Sequence, residues 1–307
     1  MTAHPKWFAH ANVNCEQLGP SEAFYSTVLG LTPRWRTAPS YTQDGTGFGM
    51  PGVGVQWEGA ILTDQRGLRG PAVDLLRWIS PPTVGVPPAE PHHLGFVALR
   101  FTCAALDRLV ARLQEAGTPF ERVAARDDRG DVEPFVRAVE PGGVTVEFTE
   151  GDTGDAGEVR FGGVRANCAD FARSLAWYRE VVGLRNDDPR MLDVLGDDAD
   201  GADAVGRLET ADLYVPGRRD GFRVALTEWH DPTPVGAPPP FGNATGIYRI
   251  ALTVDDIDEG WAELAASMPD PPPIVTVDLG ETLGAMRAVF FPDPDGAIVE
   301  LLERGLR

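Results

Sequence analysis

The 307-residue sequence has few cysteines and no long apolar run. Its three cysteines are an odd number and lack C-x-x-C spacing, which fits structural thiols in a reducing compartment better than a disulfide framework or a zinc knuckle. No apolar stretch approaches the roughly 20 residues that span a bilayer. The first ten residues contain no apolar segment typical of a signal peptide, so we expect a cytoplasmic protein.

Basic residues are also scarce relative to acidic ones. The 27 Lys and Arg residues face 46 Asp and Glu residues, which gives a formal net charge of −19. Nucleic acid and anionic membranes would repel such a chain, so we expect neither as a partner. The G-x-S-x-G, P-loop and dinucleotide-binding motifs are absent from the sequence, so these chemistries are not indicated.

An internal repeat divides the chain into two halves, which agrees with the size of about two domains. The halves meet in the Gly/Asp-rich stretch 151–158, which is typical of a flexible linker. We predict two homologous domains, residues 1–150 and 157–305. Six residue pairs share a spacing of 153: Cys15 and Cys168, Tyr25 and Tyr178, Gly30 and Gly183, Pro141 and Pro294, Gly143 and Gly296, Glu147 and Glu300.

Each half reads as a strand, a helix and further strands, followed by the same order again. This pattern predicts an α+β fold made of four tandem βαβββ modules. The first strand, residues 7–14, alternates in polarity. The alternation places Ala9, Ala11 and Val13 on one face and Phe8, His10, Asn12 and Asn14 on the other.

Four segments resemble the vicinal oxygen chelate superfamily: FYSTVLGL, WYREVVGL, LTVDDIDEGWAEL and PDPDGAIVELLE. This superfamily contains glyoxalase I, extradiol dioxygenases and bleomycin resistance proteins, and the resemblance covers nearly the whole chain. It implies that pairs of modules curl their sheets into half-barrel cups. A divalent metal commonly sits in such a cup, held by one residue from the first strand and one from the last strand of each module.

The pairing of modules decides which residues can meet. We expect the modules to pair within each half, which gives one half-barrel cup per domain. Some members of the superfamily instead pair module one with four and two with three. That arrangement would gather His10, Asp74, Arg249 and Glu300 at one site.

The resemblance implies a metal site in the first half. It places His10, Asp74 and Glu147 at ligand positions, with Glu147 also the candidate catalytic residue. The fourth position falls at Ala98 in a gap-free alignment, and a register shift would bring in His93. One or two imidazoles with carboxylates suit Fe, Mn, Zn or Mg.

The second half has lost most of these positions. Its equivalents are Gly163, Ala225, Arg249 and Glu300, so we expect an Arg249–Glu300 ion pair there and no metal. Six side chains are candidates for the substrate pocket: Asn12, Asn14, Trp78, Arg100, Arg249 and Glu300.

Two function classes follow from the resemblance. One is a metal-dependent enzyme acting on a small oxygenated organic substrate by isomerase, lyase or extradiol-type dioxygenase chemistry, with the metal as Lewis acid. The other is a metal-free protein that binds or sequesters such a molecule, as resistance proteins do. The expected partner is a small-molecule substrate, and a homodimer is compatible with either class.

Overall fold

The structure, a computed structural model, contains two curled nine-stranded sheets with helices packed outside them. It describes residues 3–196, 204–219, 221–266 and 268–303. Each sheet combines two modules, and the architecture confirms the predicted α+β fold of repeated modules. Within the described segments, no helix is both long and apolar enough to cross a membrane.

The first sheet is a half-barrel, and among the described residues no strand ladder joins its two edges. It is formed by strands of the first and fourth modules, with β3 paired to β4 off the main path. Its order is β16 (Val275–Asp278), β17 (Ala285–Pro292), β18 (Ile298–Glu303), β15 (Gly246–Val254), β1 (Trp7–Asn14), β5 (Ala72–Ser80), β4 (Met50–Thr63) and β2 (Thr32–Thr37), with β3 at Gln43–Gly45.

The second sheet closes into a barrel because β13 pairs with β14 as well as with β12. It is formed by strands of the second and third modules. Its order is β11 (Arg185–Asn186), β13 (Ala204–Tyr214), β12 (Arg190–Leu195), β7 (Phe120–Asp127), β8 (Val132–Val139), β9 (Thr145–Glu150), β6 (Gly95–Cys103), β10 (Val159–Asn167) and β14 (Arg223–Asp231).

The helices cover the outer faces of the sheets and enclose the main hydrophobic core. Two of them continue directly into a π-helical turn. Leu109 and Leu113 of the second helix are fully buried in this core, as the helical spacing of its apolar residues requires. The helices are α1 (Leu18–Ala23), α2 (Leu106–Glu115), α3 (Phe171–Trp177) and α4 (Ile257–Ala265).

The expected pairing of modules within each half is wrong. Strand β1 pairs antiparallel with β15 of the fourth module, and β6 of the second module pairs antiparallel with β10 of the third. The repeat shows which modules are alike, but it does not show which modules pair. The pairing is made by the first strands of the modules, which lie side by side in each sheet. The half-barrel therefore gathers residues from the two ends of the chain.

The connectors between modules explain one part of this pairing. Asn14 Nδ2 donates to the carbonyl oxygens of Gly242 and Ala244, on the connector before the fourth module. Its repeat equivalent Asn167 donates to Pro91 and His93, on the connector before the second module. Both asparagines are buried, so these bonds hold the connectors across the paired modules.

The polarity pattern of β1 is interrupted by a β-bulge. The register with β15 shifts between Phe8 and His10, so Phe8 lies in the main core with Ala11 and Val13. Phe8 therefore does not share a face with His10, contrary to the alternation read from the sequence. His10 and Asn12 point into the half-barrel, where a bulge re-aims side chains at the mouth of a curved sheet.

A buried carboxyl at the junction of the third and fourth modules makes stability depend on pH. Asp293 accepts hydrogen bonds from Tyr178 Oη and from the backbone amides of Asp295 and Ala297. Burial nevertheless raises the pKa of Asp293 from 3.8 to about 6. A raised carboxyl pKa stabilises the fold below the unfolded value, and this contribution is lost as pH rises through about 6.

We predict that Asp293→Asn removes this dependence. The difference between 3.8 and about 6 corresponds to about 3 kcal/mol at neutral pH. The free energy of unfolding of the wild type should therefore fall, relative to that of Asp293→Asn, by about this amount between pH 4 and 7.5. Urea unfolding at both ends of this range measures the difference, and a constant difference would contradict the assignment.

Candidate active site

Four side chains from four strands of the half-barrel meet at its centre. They are His10 on β1, Asp74 on β5, Arg249 on β15 and Glu300 on β18. The strand register brings them together, because Asn12 lies opposite both Asp74 and Arg249. These are the equivalent positions of the first and last strands of modules one and four.

The cluster is buried and tightly paired. Arg249 Nε lies 2.6 Å from Glu300 Oε2, and Arg249 Nη2 lies 3.2 Å from Asp74 Oδ2. His10 Nε2 lies 3.3 Å from the same Glu300 oxygen and 3.7 Å from the same Asp74 oxygen. The guanidinium thus bridges the two carboxyl groups, and the imidazole faces both of them. The Arg249–Glu300 pair expected from the sequence is present, although in a cup of different composition.

The two carboxyl groups have opposite protonation tendencies. Burial raises the pKa of Asp74 above its ordinary value, against the lowering effects of His10 and Arg249. Burial also acts to raise the pKa of Glu300, but Arg249 and His10 outweigh it and hold that pKa below its ordinary value. Glu300 is therefore the firm anionic partner of Arg249, and Asp74 is the carboxyl group that more readily holds a proton.

Several buried polar atoms of this cup have no hydrogen-bond partner among the described residues. Arg249 Nη1 and Asn12 Oδ1 are two of them, and Trp57 Nε1 is a third. His10 Nε2 belongs to the same set, although it lies 3.3 Å from Glu300 Oε2. Buried polar atoms are normally paired, so unpaired ones in a cup indicate a place for a ligand or ordered water.

Aromatic rings fill the rest of the half-barrel. Trp57, Trp78 and Phe290 surround the ring of Phe48, with centroids 5.1 to 5.4 Å from it. The Arg249 guanidinium carbon lies 5.5 Å from the Phe290 centroid and 5.9 Å from the Phe48 centroid. Trp78, a predicted pocket residue, donates from Nε1 to Asn14 Oδ1. The sequence pattern missed Phe48, although its setting between two glycines was visible.

The residues of the half-barrel do not fit a resident divalent metal. A guanidinium has only N–H donors and no lone pair for a metal. Arg249 contacts one oxygen of each carboxylate and so places a cation between them. A divalent ion about 4 Å from this cation would be repelled by roughly 8 kcal/mol, twice the value for unit charges at an effective dielectric constant of about 20. Among the described residues, no group of three or more His, Cys, Asp and Glu has an arrangement suited to holding a metal.

The metal set predicted from the sequence is not one site. Glu147 lies on β9 in the barrel, whereas His10 and Asp74 lie in the half-barrel. His93 lies on a connector, where its Nδ1 is 2.8 Å from the carbonyl oxygen of Leu94. The prediction failed because it depended on pairing the first two modules with each other.

In the barrel, Glu147 is held by arginines. Arg165 makes a two-pronged contact with its carboxylate, with Nη2 2.8 Å from Oε2, and Arg137 lies 3.7 Å away. Burial acts to raise the pKa of Glu147, but Arg165, Arg137 and Arg100 outweigh it and lower that pKa. Arg100, a predicted pocket residue, also pairs with Asp212 at 2.7 Å.

Gly163 occupies the position in the barrel that His10 occupies in the half-barrel. A Cβ atom at this position would lie 2.2 Å from the carbonyl oxygen of Arg223, so no side chain can be accommodated. The barrel instead contains an open cavity of about 550 Å³, including its solvent-filled mouth. Its lining includes Arg100, Glu133, Phe135, Glu147, Arg165, Arg190, Leu192 and Asp212.

The comparisons with known proteins agree with this architecture. The model of the Glyoxalase/Bleomycin resistance protein/Dioxygenase superfamily matches residues 7–148 and 160–301. Glyoxalase I from Zea mays is similar in structure, with a TM-score of 0.64 and 15% identity over 97% of this chain and 92% of that one.

A second solved structure with the same fold is a putative dioxygenase from Bacillus subtilis. Its TM-score is 0.62 and its identity 16%, over 97% of this chain and 85% of that one. At such identities, these likenesses establish the fold and not the reaction. The search of the curated proteins found no relative of this chain.

Proposed function

Because this chain belongs to the Glyoxalase/Bleomycin resistance protein/Dioxygenase superfamily, we propose that it binds a small oxygenated organic molecule in the half-barrel without a metal. Arg249 supplies there the positive charge that a divalent metal commonly supplies in the family. The observation that carries this proposal is the Arg249 guanidinium, which bridges Asp74 and Glu300 while its Nη1 has no hydrogen-bond partner among the described residues.

The ligand oxygen is a carbonyl or carboxylate oxygen under this proposal. Arg249 Nη1 is a buried, charged N–H donor, and such donors bind oxygen more strongly than neutral ones do. Asn12 Oδ1 offers a complementary acceptor for a hydroxyl group. The aromatic walls formed by Trp57, Trp78 and Phe290 suit a planar organic body attached to these polar groups.

The protonation tendencies of the two carboxyl groups support proton transfer as the reaction class. Two carboxyl groups with pKa values pushed apart can divide the roles of charge stabiliser and proton carrier. Glu300 holds Arg249, while Asp74, whose pKa is raised, would take a proton from the carbon next to a bound carbonyl and return it. Arg249 would stabilise the negative charge on that carbonyl oxygen. Isomerase or lyase chemistry has this form.

One observation favours a second candidate, a metal-dependent enzyme. His10 Nε2 faces both carboxylates and makes no hydrogen bond to a described residue. His10, Asp74 and Glu300 would then hold Fe, Mn, Zn or Mg after Arg249 had moved aside, and dioxygenase chemistry would require such a metal. We place it second because Arg249 is itself buried against both carboxylates.

Binding of benzoylformate tests the first candidate, since this probe carries a ring, a carbonyl and a carboxylate. We predict that it binds in the presence of EDTA and that Arg249→Lys weakens binding by about 10- to 100-fold. Lysine keeps a cation beside the carboxylates but lacks the second guanidinium nitrogen, and a hydrogen bond to a charged group is worth about 1.5–3 kcal/mol. Titration calorimetry gives the affinities.

Arg165→Lys, the same change in the barrel, is the matched control and should leave binding unchanged. Weaker binding in Arg165→Lys alone would move the site to the barrel. Binding that disappears with EDTA and returns with a divalent ion would establish the metal-dependent candidate instead.

A further inference from the structure

The ring of Phe48 occupies the half-barrel directly in front of Arg249. Its side chain is only 3% exposed, although it belongs to a short turn outside the sheet. It packs against Trp57, Trp78 and Phe290, and its centroid lies 5.9 Å from the Arg249 guanidinium carbon. A planar ligand that reached Arg249 from this side would have to take the place of this ring.

The segment that carries Phe48 is rich in glycine. Residues 45–54 read GTGFGMPGVG, so half of this stretch is glycine and Phe48 stands between Gly47 and Gly49. Gly49 has a φ of +74°, and a Cβ atom there would lie 2.6 Å from the carbonyl oxygen of Pro240. Gly52 also has a positive φ, of +72°. Glycine on both sides lets the backbone change conformation at low cost, as hinges require.

At this point the half-barrel is closed by a seam of hydrogen bonds, and the part of the chain that the structure describes has no strand pairing across the seam. Gln43 Nε2 donates to the backbone oxygen of Asp278, and the Asp278 amide donates to Gln43 Oε1 at 2.6 Å. The Ser40 amide donates to the Asp278 carboxylate at 2.7 Å, and the Ala38 amide to the oxygen of Leu279. At the equivalent place in the barrel, the third and second modules are joined by a continuous ladder between β12 and β7.

We infer that residues 38–54 form a flap over the half-barrel, with Phe48 as its stopper and the Gln43–Asp278 bonds as its latch. Opening breaks the hydrogen bonds of the seam and the bond from the Gly242 amide to the Phe48 oxygen. It also withdraws the Phe48 ring from its aromatic contacts, while the main strand path of each sheet stays paired. Phe48 then leaves a space of the size of one ring beside Arg249, lined by Trp57, Trp78 and Phe290. The flap therefore selects a planar, aromatic ligand with an oxygen substituent. This ligand class extends the proposed function and rests on it, whereas the flap does not depend on the proposed function.

A thiol placed beneath the stopper measures opening without any ligand. Ala251 is fully buried in the same cluster as Phe48, and Ala251→Cys is a small change. The native thiols Cys15, Cys103 and Cys168 are buried elsewhere, and burial raises their pKa, so they react slowly and serve as internal standards. Labelling with N-ethylmaleimide, followed by peptide mass spectrometry, gives the rate at each position.

We predict that the thiol introduced at position 251 reacts at least tenfold faster than the native thiols. Gln43→Ala should accelerate that reaction at least tenfold more, because it removes both latch bonds, and should leave the native thiols unchanged. Asn167→Ala is the matched control, since it removes two partly buried hydrogen bonds between the barrel and a connector and leaves the latch intact. It should not alter labelling at position 251.

Equal rates at position 251 and at the native thiols, with or without Gln43→Ala, would overturn the flap, because the cup would then open only on global unfolding. The proposed function is decided by a separate arm of the experiment. Benzoylformate should protect position 251, and Phe48→Ala should bind this probe at least tenfold more tightly because no ring has to be displaced. Fast, latch-dependent labelling without protection would leave the flap standing and contradict the proposed ligand class.

Discussion

Replacing Arg249 with histidine should create a divalent metal site in the half-barrel. The variant places two imidazoles and two carboxyl groups at the cluster now formed by His10, Asp74, Arg249 and Glu300. It also removes a fixed cation whose repulsion of a divalent ion is roughly 8 kcal/mol at about 4 Å. We expect the affinity for Zn²⁺ or Mn²⁺ to rise by at least 100-fold over the wild type.

Two further variants separate the effect of the new ligand from the effect of charge removal. Arg249→Gln removes the charge but supplies no imidazole, so its gain should be clearly smaller. The double variant His10→Ala with Arg249→His should lose most of the gain, since one of its ligands is missing. Competition with a fluorescent chelator measures all of these affinities. Equal metal affinity in the wild type and in Arg249→His would contradict the role given to Arg249.

Arg249→Ala should strongly destabilise the fold. It leaves two buried carboxyl groups, Asp74 and Glu300, without their cationic partner; these residues are 4% and 3% exposed. Removing one partner of a buried ion pair costs about 3–5 kcal/mol, because the charge left behind has no compensation. Chemical unfolding at pH 7.5 should therefore give a free energy of unfolding lower by about this amount.

A double variant that also removes the charge of Glu300 tests whether the unpaired carboxylate causes this loss of stability. Adding Glu300→Gln to Arg249→Ala should recover part of the loss. Arg287→Ala breaks surface pairs with Asp258 and Glu303 and should cost much less stability than Arg249→Ala does, because water screens exposed ion pairs. If Arg249→Ala changed stability no more than Arg287→Ala does, the guanidinium would not be balancing buried charge.

Much of the fold could be predicted from the sequence, because repeated polarity patterns and turn residues are local signals. The modules and their α+β character are confirmed. The face assigned to Phe8 is wrong because a β-bulge inserts one residue, and no local pattern in residues 7–14 reveals it. The predicted pairing of modules is wrong because the true pairing depends on contacts between strands far apart in the sequence, such as β1 and β15.

The residues of the site could be predicted from the sequence, but their grouping could be predicted only in part, because it depends on the pairing of modules. His10, Asp74, Arg249 and Glu300 were all identified from the resemblance, and the alternative pairing of modules places them together as the structure does. Glu147 was assigned to the wrong cup, where its arginine partners Arg165 and Arg137 could not be recognised without the fold. The role of Phe48 depends on its contacts across the cup, which only the folded structure supplies.

Metal analysis of the wild-type protein tests the central role of Arg249 most directly. The purified chain would be stripped with chelator, incubated separately with Fe²⁺, Mn²⁺, Zn²⁺ and Mg²⁺, freed of excess ion and analysed by mass spectrometry of its metal content. With Arg249 in the position of the metal, we predict no stoichiometric ion, and the same trace content in wild type and His10→Ala. Close to one ion per chain in the wild type, lost in His10→Ala, would contradict the account.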